Sequence, residues 1–397
     1  MIKFAFADQS FQTDRIIGNL AGPAGSPIVV FVAGIHGNEP SGVIALQRVF
    51  GELASQQIKL SGGMIGLAGN LSALAENRRY ISQDLNRMWD NAFSQQYRNA
   101  ASPSGQIAES RERHEIFEVI EPLLQQFNLP TQNPQHVAPL YFVDLHTTSA
   151  PSVPFIAIND QLNNRKFALQ FPVPTVLGIE EYLQGPLLSY LNDFGPVALA
   201  FEAGQHNDPN SIDVHASFIY LALLAAGVIR AEQIPNLANH QSRLQKCGGQ
   251  QRGIFEVVAR KPITADDGFV MDPNYSNFVP IKKGEVLARD RNGAISAERN
   301  GRIFMPLYQP VGEDGFFIVR KVPRWALSLS SVLRKINFET ILTLLPGVSR
   351  SPHQPDALLV NKKVARFLAN ELFHLLGYRR KKDDGEVMIV SRREIET

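Results

Sequence analysis

The 397-residue chain has 39 basic and 38 acidic residues, and its formal net charge of +1 argues against a polyanion such as nucleic acid as the main partner. The length exceeds the usual limit for one hydrophobic core, so we expect two or three domains. A composition of 44% hydrophobic and 19% charged residues is typical of a soluble globular protein rather than of a membrane-spanning or disordered one.

The cysteine content and the N-terminal residues indicate a cellular compartment. One cysteine, Cys247, excludes an intramolecular disulfide and favours a reducing cytoplasm, and its polar surroundings favour an incidental role over nucleophilic catalysis. Residues 1–8 lack an apolar segment as long as a signal peptide requires. No run approaches the roughly 20 apolar residues that cross a bilayer. We therefore expect a cytoplasmic protein without a membrane contact.

Residues 28 to 230 alternate short apolar runs with longer helical patterns, which predicts an α/β arrangement. The predicted strands are 28–34, 64–69, 140–145, 154–158, 175–178 and 197–201. Several are almost wholly apolar, as is typical of strands that helices cover on both faces. The predicted helices are 40–50 with Pro40 in the first turn, 109–127, and 211–229 with Ser211 as its cap. The rest of 70–133 is polar and is expected to form loops that carry binding residues.

A change of composition at 235–252, where Gln, Asn and Gly residues cluster, indicates a domain boundary. Short strand-like runs follow at 254–259, 279–281, 285–288, 301–305 and 316–319. Turns are predicted between them at Lys283-Gly284, Asn292-Gly293 and Asp314-Gly315. We therefore predict a domain at 1–245, a small all-β domain at 246–320 and a C-terminal extension at 321–397. In the extension, 362–376 has a helical pattern and 379–382 is a basic cluster, interpreted as solvated surface.

Two predicted strands lead into residues that can bind a metal ion. His36 and Glu39 follow the first strand, and His146 directly follows the strand 140–145. Two His and one Glu are the protein ligands of many catalytic zinc sites, which keep a fourth position open for water. Open α/β sheets bind ligands at the carboxyl ends of their strands, so these side chains are expected to meet. Each signal alone is weak, because H-x-x-E is common by chance and a lone histidine is more often structural.

Three other segments carry candidate catalytic residues, each with a structural alternative. Asp144, on the same strand face as His146, either accepts the second N–H of that imidazole or is a satisfied polar residue. Glu202 ends an apolar strand, where burial can raise its pKa and suit it to general base catalysis, or it caps a helix. Residues 78–89 contain three arginines, which can bind a carboxylate or a polarised carbonyl oxygen, or can form a solvated loop.

Together these segments resemble the succinylglutamate desuccinylase/aspartoacylase family of zinc carboxypeptidase-like hydrolases. The resemblance runs from about residue 28 to 320 and depends on G-x-H-G-N-E-x-x-G, R-Y-x-x-x-D-L-N-R, D-L-H-T and F-E-x-G in this order. It implies a zinc-carboxypeptidase-like mixed sheet flanked by helices. It also implies that the small β domain leans over the active-site entrance.

The resemblance implies a zinc site, with His36, Glu39 and His146 as the ligands of one zinc ion per chain. Glu202 would then take a proton from the zinc-bound water and return it to the leaving amine. Arg79 would polarise the scissile carbonyl and stabilise the oxyanion.

The resemblance also implies that Asn86 and Arg87 hold the carboxylate of the substrate. The chain departs from aspartoacylase itself at two other anion-binding positions. It has no arginine at 189–194, about ten residues before the catalytic Glu, and 313–317 contains phenylalanines in place of a tyrosine. N-acetylaspartate is therefore disfavoured, and a less acidic or partly apolar N-acyl substrate is expected.

These observations predict a zinc-dependent deacylase that cleaves an acyl group from an N-acyl amino acid or a similar small amide. The alternatives are a carboxypeptidase-type peptidase, an esterase that uses the same site, and a non-catalytic zinc or small-molecule binding protein. Retention of Glu202 and Arg79 argues against mere binding, which requires neither. A small-molecule substrate is expected, a homo-oligomer is compatible with the sequence, and 321–397 receives no function.

Overall fold

A computed structural model describes residues 12–90, 107–128, 138–249, 251–335, 342–343, 346–351, 357–361, 378–384 and 387–392. These ranges contain an eleven-stranded mixed sheet, smaller sheets of three and four strands, and helices that pack on the large sheet. The predicted helical run at 362–376 lies outside the described residues. No helix within the described ranges combines the length and the apolar character that crossing a membrane requires.

The strands, in chain order, are β1 (Ile16–Leu20), β2 (Ile28–Ala33), β3 (Gly63–Ala68), β4 (Leu140–Thr148), β5 (Phe155–Ile158), β6 (Thr175–Leu177), β7 (Val197–Gln205), β8 (Ile254–Pro262), β9 (Val270–Met271), β10 (Pro280–Ile281), β11 (Val286–Asp290), β12 (Gly293–Ser296), β13 (Gly301–Phe304), β14 (Asp314–Lys321), β15 (Val348–Arg350), β16 (Ala357–Asn361), β17 (Tyr378–Asp384) and β18 (Val387–Arg392). The large sheet has the order β1-β3-β2-β4-β7-β5-β6-β8-β14-β13-β10. Its centre, β3-β2-β4-β7, is parallel. Every strand that the sequence predicted is present, with its ends shifted by a few residues.

The helices span Ser41–Ser55, Leu71–Glu76, Ala108–Asn128, Leu162–Ala168, Leu187–Asn192, Asn210–Ala225, Leu237–Cys247 and Arg324–Lys335. They cover both faces of the central strands. This explains why the sequence of β2 is continuously apolar. Val29 and Phe31 pack in one core cluster with helices Ser41–Ser55 and Asn210–Ala225. Val30 and Val32 point the other way and pack with helix Ala108–Asn128. Alternate side chains of a strand face opposite sides, so a strand buried on both faces needs apolar residues throughout.

Two expectations about element ends are wrong. β4 and β7 remain paired beyond their apolar runs, with His146 opposite Glu202 and Thr148 opposite Gln205, so both candidate residues lie inside strands instead of ending them. Ser211 is not a cap, because the helix begins one residue earlier at Asn210, behind Pro209, and no side chain caps it.

The predicted boundary at 245–246 does not interrupt the large sheet. β8 pairs in parallel with β6 and antiparallel with β14, so the second region extends the same sheet. Gly284 and Gly293 adopt positive φ in the expected turns. The turn predicted at Asp314-Gly315 is wrong: both residues belong to β14, where the register shifts between Asp314 and Phe316 as at a β-bulge. That irregularity explains the turn-like sequence.

The C-terminal extension forms the four-stranded antiparallel sheet β15-β16-β18-β17 and the helix Arg324–Lys335. Residues 379–382, the basic cluster, lie in the strand β17. The helix contacts the rest of the chain through Arg334, whose side chain is fully buried and lies 2.7 Å from the equally buried Asp160 carboxylate. Asp160 follows β5 and is also paired with Arg165. The extension is thus anchored beside β5 by a buried ionic cluster.

Candidate active site

The turn after β2 brings His36 and Glu39 into contact. Gly34 has a φ of +70°, a conformation that favours glycine. A Cβ atom at Gly37 would lie 2.1 Å from the backbone of Ala73, so only glycine fits there. Within this tight turn the Glu39 N–H donates to the His36 carbonyl, and His36 Nδ1 lies 2.9 Å from Glu39 Oε1. The sequence H-G-N-E therefore presents two donor groups side by side.

His146 completes a cluster of three possible metal ligands. Its strand β4 is the parallel neighbour of β2, and His146 Nδ1 lies 3.0 Å from Glu39 Oε2. One donor atom from each of His36, Glu39 and His146 lies within 4.8 Å of the others. All three side chains are buried. Two imidazoles and a carboxylate form a donor set that suits a zinc ion.

Each histidine of the cluster has a carboxylate behind its other ring nitrogen. Asp84 Oδ1 lies 3.1 Å from His36 Nε2, and Asp144 Oδ2 lies 2.9 Å from His146 Nε2. Metal-binding histidines characteristically contact such a carboxylate, which fixes the ring and its tautomer. The residues therefore fit a metal ion. The sequence interpretation identified Asp144 but missed Asp84, although Asp84 is the aspartate of the R-Y-x-x-x-D-L-N-R motif.

The charges in the cluster also suit a cation. Burial would raise the pKa of the Glu39 carboxyl, but His36 and His146 outweigh burial and hold this pKa well below its usual range. Burial likewise opposes ionisation of Asp84, yet His36 and Arg79 hold its pKa well below the usual value. Both groups are therefore carboxylates at neutral pH. Burial lowers the pKa of His146, but the two adjacent carboxylates raise it overall, so metal binding would displace a proton.

Glu202 lies directly across from His146, on the same face of the sheet. β4 and β7 are parallel neighbours with these two residues in register, and Glu202 is buried. Burial raises the pKa of Glu202 well above the usual value, and the charges of Glu39 and Asp144 add to the effect while His146 opposes it. The described residues offer Glu202 Oε2 no hydrogen-bond partner. A carboxyl with a raised pKa and an unused oxygen is suited to proton transfer.

Arg79 borders the same cluster. Its Nη2 lies 2.9 Å from Asp84 Oδ2, and its Nη1 lies 3.7 Å from Glu39 Oε1. The Arg79 carbonyl accepts a hydrogen bond from the Gly37 N–H at 3.2 Å, which joins the arginine loop to the histidine turn. Arg79 Nε has no hydrogen-bond partner among the described residues. The guanidinium is therefore held in place and retains a donor.

Asn86 and Arg87 have contacts that the sequence did not indicate. The Asn86 side-chain oxygen accepts a hydrogen bond from the Leu187 N–H at 2.8 Å. Arg87 faces two acids beside β14, with Nε 3.8 Å from Glu313 and Nη2 3.5 Å from Asp314. These carboxylates partly neutralise the cation that the sequence assigned to a substrate carboxylate.

All eight predicted site residues line one cavity of about 310 Å³. Residues of the second region, from Met305 to Phe317, form part of its wall. Gln309 from this region accepts a hydrogen bond from the Asn38 amide at 3.1 Å. The cavity is therefore bounded on one side by the segment before β14.

The sequence interpretation missed two other parts of the cavity. An apolar wall begins beside Glu202, because Phe155 on β5 is its direct antiparallel partner; the wall includes Phe155, Ala157, Ile179, Leu183 and Phe317. His206 also lines the cavity, with Nδ1 2.8 Å from Thr147 Oγ1, and burial lowers its pKa. No sequence signal marks these residues, because their role arises from strand pairing between distant segments.

Comparison with known proteins bears on this arrangement. The model of the succinylglutamate desuccinylase/aspartoacylase catalytic domain matches residues 26–220, which include all eight predicted site residues. Residues 26–220 therefore belong to the succinylglutamate desuccinylase/aspartoacylase family. This membership confirms the resemblance that the four motifs indicated. The roles of the individual residues stay predictions.

Related sequences match over limited segments. The chain is 32% identical over 149 residues to the succinylglutamate desuccinylase of Photorhabdus laumondii subsp. laumondii, which covers 37% of this chain and 41% of that protein. It is 38% identical over 65 residues to the succinylglutamate desuccinylase of Yersinia pestis, which covers 16% of this chain and 20% of that protein. The matches thus span less than half the length of these relatives.

Solved structures confirm the predicted fold class. The succinylglutamate desuccinylase of Vibrio cholerae superposes with a TM-score of 0.51 at 19% identity, covering 75% of this chain and 82% of that one. The succinylglutamate desuccinylase/aspartoacylase of Rhodobacter sphaeroides gives a TM-score of 0.53 at 19% identity, covering 76% and 87%. At this identity the likeness concerns the fold alone.

Proposed function

We propose that this family member is a zinc-dependent hydrolase that removes the acyl group from an N-acyl amino acid or a similar small amide. One observation carries the proposal: the buried Glu202 carboxyl, with its raised pKa, lies in register with His146 and lines the same cavity as the His36–Glu39–His146 cluster. A metal-binding protein without catalysis has no need of a proton-transfer group beside the ligands. The presence of a proton-transfer group beside possible metal ligands therefore favours hydrolysis.

His36, Glu39 and His146 would hold the ion, and Asp84 and Asp144 would orient the two imidazole rings. Zinc bound there would lower the pKa of a water molecule to about 7 and polarise a carbonyl oxygen. Ionised Glu202 accepts a proton from the attacking water and then donates that proton to the leaving amine.

Arg79 donates a hydrogen bond to the carbonyl oxygen as negative charge develops on it. The contact with Asp84 holds the guanidinium before the reaction, so little reorganisation is needed in the transition state. Arg87 and Asn86 lie on the wall of the cavity, where they contact the polar end of the substrate. Glu313 and Asp314 compete with a substrate carboxylate for Arg87, which supports a preference for less acidic substrates.

The size of the cavity supports a small substrate over a long peptide. A volume of about 310 Å³ lies at the lower end of the range for small-molecule sites, and residues 305–317 form one wall. The adjacent apolar wall suits a neutral side chain or acyl chain. The single cysteine supports the proposal that the enzyme acts in the cytoplasm.

An amine-release assay tests the proposed function. Purified protein is stripped of metal with a chelator, and turnover is measured with and without added zinc on N-acetyl, N-succinyl, N-hexanoyl and N-benzoyl amino acids, on dipeptides and on simple esters. We expect zinc-dependent release of the amine from N-acyl amino acids, faster than from dipeptides. Preference for dipeptides would indicate a peptidase instead. Stoichiometric zinc without turnover on any substrate would indicate a binding protein.

A further inference from the structure

Three consecutive backbone N–H groups of the arginine loop converge on one buried carboxylate, that of Glu109. The Ile81 N–H donates to Glu109 Oε1 at 2.6 Å. The Ser82 N–H lies 3.2 Å from both oxygens, and the Gln83 N–H donates to Oε2 at 3.3 Å. Asn70 Nδ2 adds a fourth donor to Oε1 at 3.3 Å. Glu109 thus connects the start of helix Ala108–Asn128 to the loop.

The Glu109 side chain has no exposure to solvent, and a buried carboxylate needs strong compensation. Among the described residues this compensation comes from N–H donors, because no cation lies within ion-pair distance of Glu109. Hydrogen bonds to an ionised acceptor are stronger than those between neutral groups. The carboxylate therefore constrains the backbone of 81–83 more tightly than neutral contacts would.

The anchored residues lie in the middle of the loop that carries the proposed chemistry. Arg79 precedes them by two residues, and Asp84 follows directly. We propose that Glu109 is a positioning residue for the hydrolytic reaction: its carboxylate fixes loop 79–87 so that Arg79 and Asp84 reach the His36–Glu39–His146 cluster. The inference depends on the proposed function only for its kinetic part, because the anchoring itself is measurable without a substrate.

Glu112, three residues later on the same helix, supplies a matched control. It is also buried and accepts hydrogen bonds from backbone N–H groups, those of Leu71 at 3.1 Å and Ser72 at 2.9 Å. Ser72 Oγ and Arg15 complete its contacts. Glu112 therefore anchors the start of helix Leu71–Glu76, whereas Glu109 anchors the loop. Glu→Gln at each position removes the same charge from the same helix.

Hydrogen–deuterium exchange, read by mass spectrometry with the parent as reference, tests the anchoring. Glu109→Gln should speed exchange of the amides at 81–83 about tenfold or more, because an amide N–H of the new side chain replaces an acceptor. Glu112→Gln should speed exchange at 71–72 and leave 81–83 as in the parent. If Glu109→Gln fails to fold, Glu109→Asp, which keeps the charge but withdraws it by one methylene, should give a smaller increase at 81–83. Unchanged exchange at 81–83 in the folded Glu109 variant would overturn the proposal.

Kinetics on the best N-acyl substrate test the link to the reaction. Glu109→Gln should lower kcat about 10- to 100-fold with a smaller change in KM, because displaced loop groups act in the transition state. In an Arg79→Met background, Glu109→Gln should lower kcat by less than about threefold, since Glu109 acts through the loop that carries Arg79. Fully additive losses would contradict the positioning role. Absence of turnover in the parent would refute the proposed function and leave the exchange result standing.

Discussion

Asp84 connects the proposed metal ligand His36 to Arg79, so Asp84→Asn perturbs both halves of the site. The carboxylate is only 11% exposed and contacts His36 Nε2 at 3.1 Å through one oxygen and Arg79 Nη2 at 2.9 Å through the other. Asparagine keeps one oxygen, so its NH₂ group must face either Arg79 or the pair formed by His36 and the backbone N–H of Asn86, which donates to Asp84 Oδ1 at 2.9 Å. Removal of a carboxylate behind a metal-binding histidine weakens metal binding about 10- to 100-fold, which corresponds to about 1.4–2.8 kcal/mol. We expect the upper half of this range.

Zinc affinity is measured by competition with a chromogenic chelator, and turnover is then measured at saturating zinc. Asp144→Asn is the control, because Asp144 contacts His146 without contacting Arg79. Both variants should bind zinc more weakly. At saturating zinc the Asp144 variant should keep more of the parental kcat than the Asp84 variant, since only the Asp84 change removes the anchor of Arg79. Parental zinc affinity in Asp84→Asn would contradict this role of Asp84.

Three other substitutions test separate contacts. Arg334→Met should lower the free energy of unfolding by roughly 3 kcal/mol, because it leaves the buried Asp160 carboxylate with one cation fewer; a loss below about 1 kcal/mol in chemical denaturation would contradict this. Glu313→Gln should lower KM for carboxylate-bearing substrates by up to about fivefold, because it frees Arg87 from one acid. The effect is modest because the Arg87–Glu313 ion pair is partly exposed, and a raised KM would contradict the prediction. Burial lowers the pKa of His215 from 6.5 to about 3, so its contribution to stability is complete above about pH 6.5 and is lost as pH falls towards 3. Relative to His215→Leu, the parent should lose up to about 1.4 kcal/mol of its free energy of unfolding per pH unit as the pH falls from about 6 to 4. Parallel profiles of this free energy against pH in the two proteins would contradict the prediction.

The sequence predicted the central strands and the meeting of His36, Glu39 and His146 because both depend on simple rules. Strands covered on both faces are continuously apolar, and the ends of parallel neighbours lie at one edge of the sheet. The strand that carries Glu202 was found in the same way. The burial of Glu202 followed from the apolar residues around it in that strand.

The contacts that the sequence did not predict join segments far apart in the chain. Arg87 is near Glu313 and Asp314 because β14, which begins at Asp314, joins the large sheet by pairing with β8. Asp84 faces His36 because the loop that carries Asp84 is anchored by the Glu109 carboxylate on a later helix. The Asp314-Gly315 pair resembles a turn locally, yet pairing with β8 places it in a strand. Local composition carries no information on such partners.

In the proposed reaction, Glu202 transfers protons beside a metal ion that His36, Glu39 and His146 would hold. Glu202→Gln tests it most directly, because the change removes the base and leaves the ligands. Metal analysis and amine release are measured on the parent and the variant under the same conditions. We expect one zinc per chain in both proteins and a kcat at least about 100-fold lower in the variant. A parent without metal, or a zinc-loaded variant with parental turnover, would contradict the proposed reaction.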